Sequence, residues 1–185
     1  MAATIWQDLE NVTFSQRFID AKGVRTRVLE TGERGMPVLF LLPGQTGHLE
    51  AYVRNVGPLG EHFHTFAIDP IGCGYSDKPE TPYLIADYVE HLINVMDAEG
   101  IEKAHLSGES NGGWTALRLA TTHPDRADKL VLNTCGGYNW DENLFKRIRE
   151  LTIPAVMNGN RDEVRARLEW LMEDKSKVTE ELVDI

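Results

Sequence analysis

A serine with a glycine two residues away on each side is the feature of this sequence that most directly indicates chemistry. Gly108-Glu109-Ser110-Asn111-Gly112 has the pattern G-x-S-x-G, which presents a nucleophilic serine on a sharp turn from a strand to a helix. The backbone of such a turn is strained and crowded, so both glycines are expected because they carry no side chain. The helix that begins after the serine favours negative charge developing on a substrate. The pattern therefore predicts that Ser110 attacks a carbonyl group.

A glycine-rich turn between a strand and a helix also fits close packing or phosphate binding. A P-loop is excluded, because Trp114 follows Gly113 where that motif requires lysine. A nucleotide-binding protein has no further support, since the sequence has neither a G-x-G-x-x-G pattern nor a Walker lysine. Two more glycine loops, 43–47 and 69–76, follow apolar runs and fit either plain turns or ligand-binding loops at the carboxyl ends of strands.

Hydrophobic periodicity predicts the elements that must position these loops. Continuous apolar runs predict strands buried on both faces, and alternating segments predict an N-terminal hairpin. The predicted strands are 12–20, 24–31, 38–42, 64–68, 104–107 and 129–132, and the predicted helices between them are 83–99 and 111–122. Gly100 is expected to end the first of these helices. This alternation predicts an α/β fold, a mostly parallel twisted sheet with helices on both faces.

The alternation of strands and helices stops near residue 134, which suggests two parts. Residues 1–134 are predicted to form the α/β core with its six strands, and residues 135–185 to begin a helical lid. Apolar residues share one helical face in 144–151 and again in 164–172, and Asp162 is expected to cap the second of these helices.

Composition narrows the classes of partner. The chain has 185 residues and a net charge of −10, which argues against binding nucleic acid or an anionic membrane, since both require a basic face. Cys73 and Cys135 have no metal-like spacing and are predicted to be reduced thiols. No signal peptide or apolar membrane span is recognisable in the sequence, so we expect a cytoplasmic protein with a small-molecule substrate and no metal or organic cofactor.

Several motifs in a fixed order resemble the α/β-hydrolase fold family over the whole chain. They are Pro43-Gly44, Asp69-x-x-Gly72-x-Gly74-Tyr75-Ser76, Gly108-x-Ser110-x-Gly112, and the run from His123 to Leu132. The opening from Ile5 and the segment 164–172 resemble, more narrowly, the meta-cleavage-product hydrolases. Those enzymes hydrolyse a carbon–carbon bond in 2-hydroxy-6-oxo-dienoates during the degradation of aromatic compounds.

The resemblance implies roles for individual residues. Ser110 would be the nucleophile, and the oxyanion hole would consist of the backbone N–H groups of Gln45 and Asn111. The substrate would be a dienoate or, as the alternative, a carboxylic ester. One departure from the family is Pro43, which stands where a histidine is usual and has no N–H to donate.

The acid and the histidine of a catalytic triad do not emerge from this sequence. In the family they follow the nucleophile, but His123, the only later histidine, lies roughly 18 Å along the helix from Ser110 at 1.5 Å per residue. The earlier histidines are interpreted as structural: His48, His62, His64, His91 and His105. The later aspartates do not follow a further strand, where the family's acid lies: Asp125, Asp128, Asp141 and Asp162.

These observations predict that the chain ends inside the lid. The acid and base would then come from a C-terminal fragment or a second chain, which would also cover the apolar sheet edge expected at 129–133. Self-association as a homo-oligomer stays open. The competing hypothesis is a catalytically inactive hydrolase-like protein that binds a ligand, or a truncated product. The missing histidine and Pro43 favour it, whereas the intact serine motif argues against it.

Overall fold

The computed structural model describes residues 4–137 and 141–184, which fall into two compact units. One unit comprises residues 6–137 and contains the sheet; the other comprises residues 4–5 and 141–184 and is helical. The strands and helices are, in chain order, β1 Phe14–Ala21, β2 Val24–Thr31, β3 Val38–Leu42, α1 Val53–Gly60, β4 His64–Ile68, α2 Ile85–Ala98, β5 Ala104–Glu109, α3 Asn111–Thr122, β6 Ala127–Asn133, α4 Glu142–Asn158, α5 Arg161–Leu171 and α6 Glu180–Asp184. Short 3-10 helices lie at Ile5–Leu9, Leu49–Tyr52 and Lys175–Lys177.

The six strands form one sheet in the order β1-β2-β4-β3-β5-β6. The hairpin β1–β2 joins β4 in antiparallel fashion, and β4, β3, β5 and β6 run parallel to one another. Helices cover both faces, as the alternation of strands and helices predicts. The predicted α/β fold and all six predicted strands are therefore confirmed, with ends that shift by a few residues.

The N-terminal hairpin turns at Lys22 and Gly23, both of which have positive φ, at 53° and 89°. Ala21 pairs with Val24, so the turn contains two residues. A two-residue turn with positive φ at both positions matches the right-handed twist of the strands, and glycine adopts this conformation without strain. The Gly23 N–H also donates to Asp20 Oδ1 at 2.6 Å, which stabilises the turn.

The core lies where the continuous apolar runs cross the middle of the sheet. Phe40 of β3 and Phe66 of β4 are fully buried, and their rings stack with centroids 5.1 Å apart. From α2 the core receives Val95 and Met96, which are also fully buried. Helix α2 ends at Ala98, and Gly100 follows with a φ of +67°, the left-handed conformation predicted for a residue after a helix end.

Helix α1 is not among the helices that the sequence pattern predicts. It contains Gly57 and Pro58, both poor helix formers, so its local signal is weak. Val53 and Val56 are buried where the helix packs against β2 and β4. Burial of this apolar side, rather than helix propensity, stabilises the helix.

The strand order changes direction at β3. From β3 the chain passes through α1 to β4 on one side, whereas β5 lies on the other side of β3 and leads through α3 to β6. The loops after β3 and β5 therefore leave in opposite directions and open a crevice at the carboxyl ends of these strands, where open α/β sheets bind ligands. Ser110 directly follows β5 at this crevice.

In the helical unit, α4 and α5 pack against each other, and Glu181 in α6 accepts a hydrogen bond from the Ile5 N–H at 2.9 Å. The predicted cap of α5 is wrong: Asn160, not Asp162, is the N-cap residue, and its side chain accepts the Asp162 N–H at 2.8 Å. Asp162 lies instead in the first turn, where an acidic side chain also favours the helix. Among the residues described, no helix is both long and apolar enough to cross a membrane.

Candidate active site

Ser110 lies on a strained turn between the end of β5 and the first residue of α3. Its φ of 50° and ψ of −110° fall in a region that residues other than glycine rarely adopt. Three backbone hydrogen bonds of 3.0 Å fix this conformation. The Ser110 N–H donates to the Asn133 carbonyl, and the Ser110 carbonyl accepts the N–H groups of Trp114 and Gly136. Strain that the surrounding structure maintains in this way is typical of functional sites.

The two glycines of the motif have no room for a side chain. A Cβ on Gly108 would lie 2.4 Å from the carbonyl carbon and oxygen of Gly112. A Cβ on Gly112 would lie 2.1 Å from the backbone oxygen of Leu42, at the end of β3. The glycines therefore allow α3 to start directly against β3 and β5, which brings Ser110 to the mouth of the crevice.

The loop after β3 lies next to Ser110. The Gly47 N–H donates to the Gly44 carbonyl at 2.9 Å, which closes a tight turn with Gln45 at its corner. A Cβ on Gly44 would lie 3.3 Å from Ser110 Cβ, so this turn and Ser110 are in close proximity. Asn111 is the first residue of α3, and the N–H groups of the first helical turn have no acceptor within the helix. The structure thus brings Ser110, Asn111 and the loop that carries Gln45 together.

Pro43, the departure from the family pattern, is buried between the loop and α3. Its carbonyl oxygen would be 2.6 Å from a Cβ on Gly112, and it lines a small cavity with Asn111, Tyr88 and His91. The proline therefore packs beneath the turn at Ser110, and it has no N–H of its own, so a backbone N–H that this loop donates to a ligand must come from a residue after it.

Asp69, the first residue of the loop motif 69–76, links the loops after β3 and β4. It is fully buried, and its two carboxylate oxygens accept the N–H groups of Leu49 and Tyr75, both at 2.8 Å. Arg27 lies 3.4 Å from the same carboxylate and 2.6 Å from Glu50. The signal in the sequence is an aspartate directly after a buried strand, but its partner Arg27 is 42 residues away.

Glu50 is the second buried carboxylate of this cluster. Burial by itself would raise its pKa, but hydrogen bonds from His48 and Arg27 lower the pKa to about 2. His48 Nδ1 lies 2.7 Å from the Glu50 carboxylate. This cluster of charged groups fixes the far end of the loop that carries Gln45, since Leu49 and Glu50 follow that loop directly.

The six histidines have other roles. His48 pairs with Glu50, His64 with Glu30 at 2.6 Å, and His105 with Asp128 at 3.3 Å. The remaining three are His62, which is exposed, His123, which is exposed at the end of α3, and His91, which is buried between Thr26 and the Ile71 N–H. Burial lowers the pKa of His91 to about 4. Within residues 4–137 and 141–184, no hydrogen bond links any of these histidines to Ser110.

The aspartates that follow Ser110 are exposed at the surface. Asp128 lies beside His105, and Asp141 caps α4 by accepting the Leu144 N–H at 3.0 Å. Asp125 and Asp162 lie before β6 and in α5, respectively. In the described part of the chain, no group of three or more His, Cys, Asp or Glu residues has the arrangement of a metal site.

Strand β6 forms one edge of the sheet and exposes apolar side chains. Val131 and Leu132 are 55% and 39% exposed, although the sequence Leu130-Val-Leu132 is typical of a buried strand. The edge adjoins Ser110, since Asn133 and Gly136 form hydrogen bonds with its backbone. Long apolar sheet edges are normally covered, because an open edge promotes pairing with another chain.

Comparisons with known proteins agree with this architecture. A profile of the alpha/beta hydrolase fold family matches residues 37–169. The chain is 32% identical over 177 residues to 2-hydroxymuconate semialdehyde hydrolase from Pseudomonas putida, in an alignment that covers 91% of this chain and 59% of that protein. It therefore spans less than two thirds of the length of this relative.

Two solved structures have the same fold over nearly the whole chain. One is 2-hydroxy-6-oxo-6-phenylhexa-2,4-dienoate hydrolase from Rhodococcus sp. strain RHA1, with a TM-score of 0.75 and 25% identity, covering 95% of this chain and 66% of that one. The other is naproxen esterase from Bacillus subtilis, with a TM-score of 0.79 and 24% identity, covering 96% and 61%.

Proposed function

Because the chain belongs to the alpha/beta hydrolase fold family, we propose that Ser110 is the nucleophile of a hydrolase that acts on a carbonyl compound. The observation that carries this proposal is the strained conformation of Ser110, at φ 50°, between β5 and α3. Three hydrogen bonds maintain the conformation, and the loop with Gln45 adjoins it. A strained serine at the carboxyl end of a parallel strand is expected where its hydroxyl must reach a substrate.

The proposed reaction proceeds through an acyl-serine. Ser110 Oγ adds to the carbonyl carbon while its proton passes to a histidine, and the carbonyl oxygen becomes an oxyanion beside the N–H groups of Gln45 and Asn111. Collapse of the intermediate breaks the bond to the leaving carbon or oxygen, which takes up the proton. Water then hydrolyses the acyl-serine as the histidine accepts a proton from water and returns it to Ser110. Loss of one oxyanion donor costs on the order of 10²–10³ in rate.

We further propose that the histidine and the acid belong to polypeptide outside these 185 residues, either a C-terminal part of the protein or a second chain. In the described part of the chain, none of the six histidines bonds to Ser110, and three of them pair with carboxylates. The exposed apolar edge of β6 lies beside Ser110. A strand added to this edge would cover Val131 and Leu132 and extend the carboxyl end of the sheet next to the nucleophile. The intact mass of the denatured protein tests this: a second polypeptide, or one chain longer by roughly 100 residues, is expected.

The substrate we propose is a 2-hydroxy-6-oxo-dienoate, hydrolysed at the carbon–carbon bond beside the ketone. Similarity to hydrolases named for such substrates supports it. A carboxylic ester is the second candidate, because the same acyl-serine chemistry cleaves esters. The alternative to an enzyme is a hydrolase-like protein that binds a ligand without catalysis. The positions of the six histidines would favour this alternative if no further polypeptide supplies a histidine and an acid.

Labelling by a fluorophosphonate tests the proposed nucleophile. The protein is expressed from its complete reading frame, so that any polypeptide beyond residue 185 is included. We expect one covalent adduct, located on Ser110 by peptide mass spectrometry and absent in Ser110→Ala. Ser107→Ala, three residues earlier in β5, is the matched control and keeps the adduct. A folded wild-type protein that forms no adduct, or forms it elsewhere, contradicts the proposal and favours the ligand-binding alternative. Release of 4-nitrophenol from esters and loss of dienoate absorbance then distinguish the two substrate classes.

A further inference from the structure

We infer that Glu109, directly before the nucleophile, determines specificity by placing a carboxylate beside the reacting carbonyl. The site would thereby select acyl groups that carry no negative charge next to that carbonyl. This inference rests on the proposed function, because it takes Ser110 as the atom to which the substrate is attached.

The position of the Glu109 carboxylate follows from its contact with Gly44. A Cβ built on Gly44 would lie 2.3 Å from Glu109 Oε2 and 3.3 Å from Ser110 Cβ. Because both distances start from one point, Glu109 Oε2 and Ser110 Cβ are no farther apart than the sum of 2.3 and 3.3 Å. The carboxylate therefore lies against the turn that carries Gln45 and close to the nucleophile.

The backbone of Glu109 is fixed on both sides. Glu109 is the last residue of β5 and pairs with Asn133 of β6, and Ser110 after it has the strained conformation. The residue is exposed, so a bound substrate can approach it. Its charge also acts on Tyr52: burial and the nearby Glu109 carboxylate both raise the pKa of the Tyr52 hydroxyl, which donates to the Leu42 carbonyl at 2.8 Å.

The consequence for a substrate depends on where its charge lies. In the acyl-serine the carbonyl carbon is bonded to Ser110 Oγ, so a charged group two or three bonds from that carbon approaches Glu109 to about 6 Å when the acyl chain extends toward the turn that carries Gln45. In a solvent-exposed site a unit charge at that distance changes a rate by about 3–10-fold. Short half-esters of dicarboxylic acids are therefore disfavoured. Neutral acyl groups are not disfavoured, and neither are dienoates whose carboxylate is several carbons from the ketone.

Three fluorophosphonates with short alkyl arms of similar size test this inference. The arms end in an isopropyl group, a carboxylate or an ammonium group, and the protein is again expressed from its complete reading frame. The second-order rate of adduct formation at Ser110 is measured for each probe by intact mass. For the wild type we expect faster labelling by the neutral than by the anionic probe, and Glu109→Gln should reduce this ratio by about 3–10-fold. The ratio of cationic to neutral probe should fall as well.

Glu90→Gln is the matched control, because it removes the same charge from an exposed position. Glu90 lies on α2 and lines a surface cavity with Arg118 and His123. These two residues lie toward the C-terminal end of α3, whereas Ser110 precedes its N-terminal end. This variant should keep the wild-type ratios. In 1 M NaCl, where the screening length is about 3 Å, the difference between wild type and Glu109→Gln should shrink.

The outcomes separate this inference from the proposed function. If no probe labels the folded wild-type protein at Ser110, the proposed nucleophile is wrong and the role of Glu109 is wrong with it. If Ser110 is labelled but Glu109→Gln leaves both ratios unchanged, or changes all three rates by the same factor, only the inference about Glu109 is overturned.

Discussion

Replacement of Gly112 by alanine should destabilise the fold by about 3 kcal/mol. The added Cβ would lie 2.1 Å from the Leu42 oxygen and 2.6 Å from the Pro43 oxygen, far inside the roughly 3.5 Å at which nonbonded atoms attract each other. Neither oxygen can move freely, because Leu42 is buried and pairs with Gly108 across the sheet. Helix α3 must shift instead, which disturbs the packing of its buried residue Leu119.

The size of this effect follows from two opposing contributions. Overpacking of a well-packed core costs about 1–3 kcal/mol and sometimes more; because the clash here is with two backbone oxygens, we expect a steric cost of about 4 kcal/mol. Alanine has a better helix propensity than glycine by about 1 kcal/mol, which offsets part of that cost. We therefore expect the free energy of unfolding to fall by about 3 kcal/mol, near the upper end of ordinary single substitutions.

Urea denaturation followed by circular dichroism measures this loss, with Gly136→Ala as the control. Gly136 also lies next to the turn at Ser110, but the nearest atom to its added Cβ, Trp114 Cε3, is at an ordinary contact distance of 3.4 Å. Alanine also retains the N–H that Gly136 donates to Ser110. The control should remain within about 1 kcal/mol of the wild type. A loss below 1 kcal/mol for Gly112→Ala, or equal losses for both variants, would refute the steric reasoning.

Two further predictions concern buried polar groups. Burial lowers the pKa of His91 to about 4. Between pH 6.5 and 4 the folded protein therefore binds fewer protons than the unfolded chain. The free energy of unfolding should fall by about 3 kcal/mol as the pH decreases through that window. Urea titrations at several pH values should show this decrease in His62→Gln and not in His91→Gln; an equal decrease in both would contradict it. Asp69→Ala should lower the free energy of unfolding by about 3–5 kcal/mol in thermal or urea denaturation, because it leaves the buried Arg27 without one of its partners. The control Asp125→Ala, at an exposed position, should change this free energy by less than about 0.5 kcal/mol. A loss of less than 1 kcal/mol for Asp69→Ala would show that the cluster tolerates its removal.

The proposed dependence on a completing polypeptide has a structural basis at β6. Asn133 at the end of this strand and Gly136 in the turn after it form hydrogen bonds with the backbone of Ser110. The same strand exposes Val131 and Leu132 at the sheet edge. Under that proposal, polypeptide that pairs with this edge stabilises the strand next to Ser110 and brings a histidine to the carboxyl ends of the strands.

Local patterns in the sequence predicted most of the sheet and its helices. Continuous apolar runs predicted β3 and β4, because strands buried on both faces have no polar face to alternate with. The hairpin followed from alternation around Lys22-Gly23. Helix α1 was missed because Gly57 and Pro58 weaken its local signal, and tertiary burial decides its conformation.

The turn at Ser110 was equally predictable from the sequence, because the atoms that leave no room for side chains at its two glycines lie within a few residues or on the neighbouring strand. Gly108, Ser110 and Gly112 belong to one five-residue motif, and the atoms that exclude a side chain at the two glycines are close to that motif. The sequence also predicted that the histidines are structural, and for His48, His64 and His91 the observed partners agree.

Only the tertiary structure decided which distant residues surround that turn. Asp69 meets Arg27 across 42 positions in the chain, and the Glu109 carboxylate meets Gly44 because the loops after β3 and β5 converge at the crevice. Periodicity reports which face of an element is buried, but it carries no information about which charged side chain on another element will lie opposite. The sequence alone therefore determined the fold class and predicted Ser110 as the nucleophile, whereas the charged groups beside Ser110 were set by the order of the strands in the sheet.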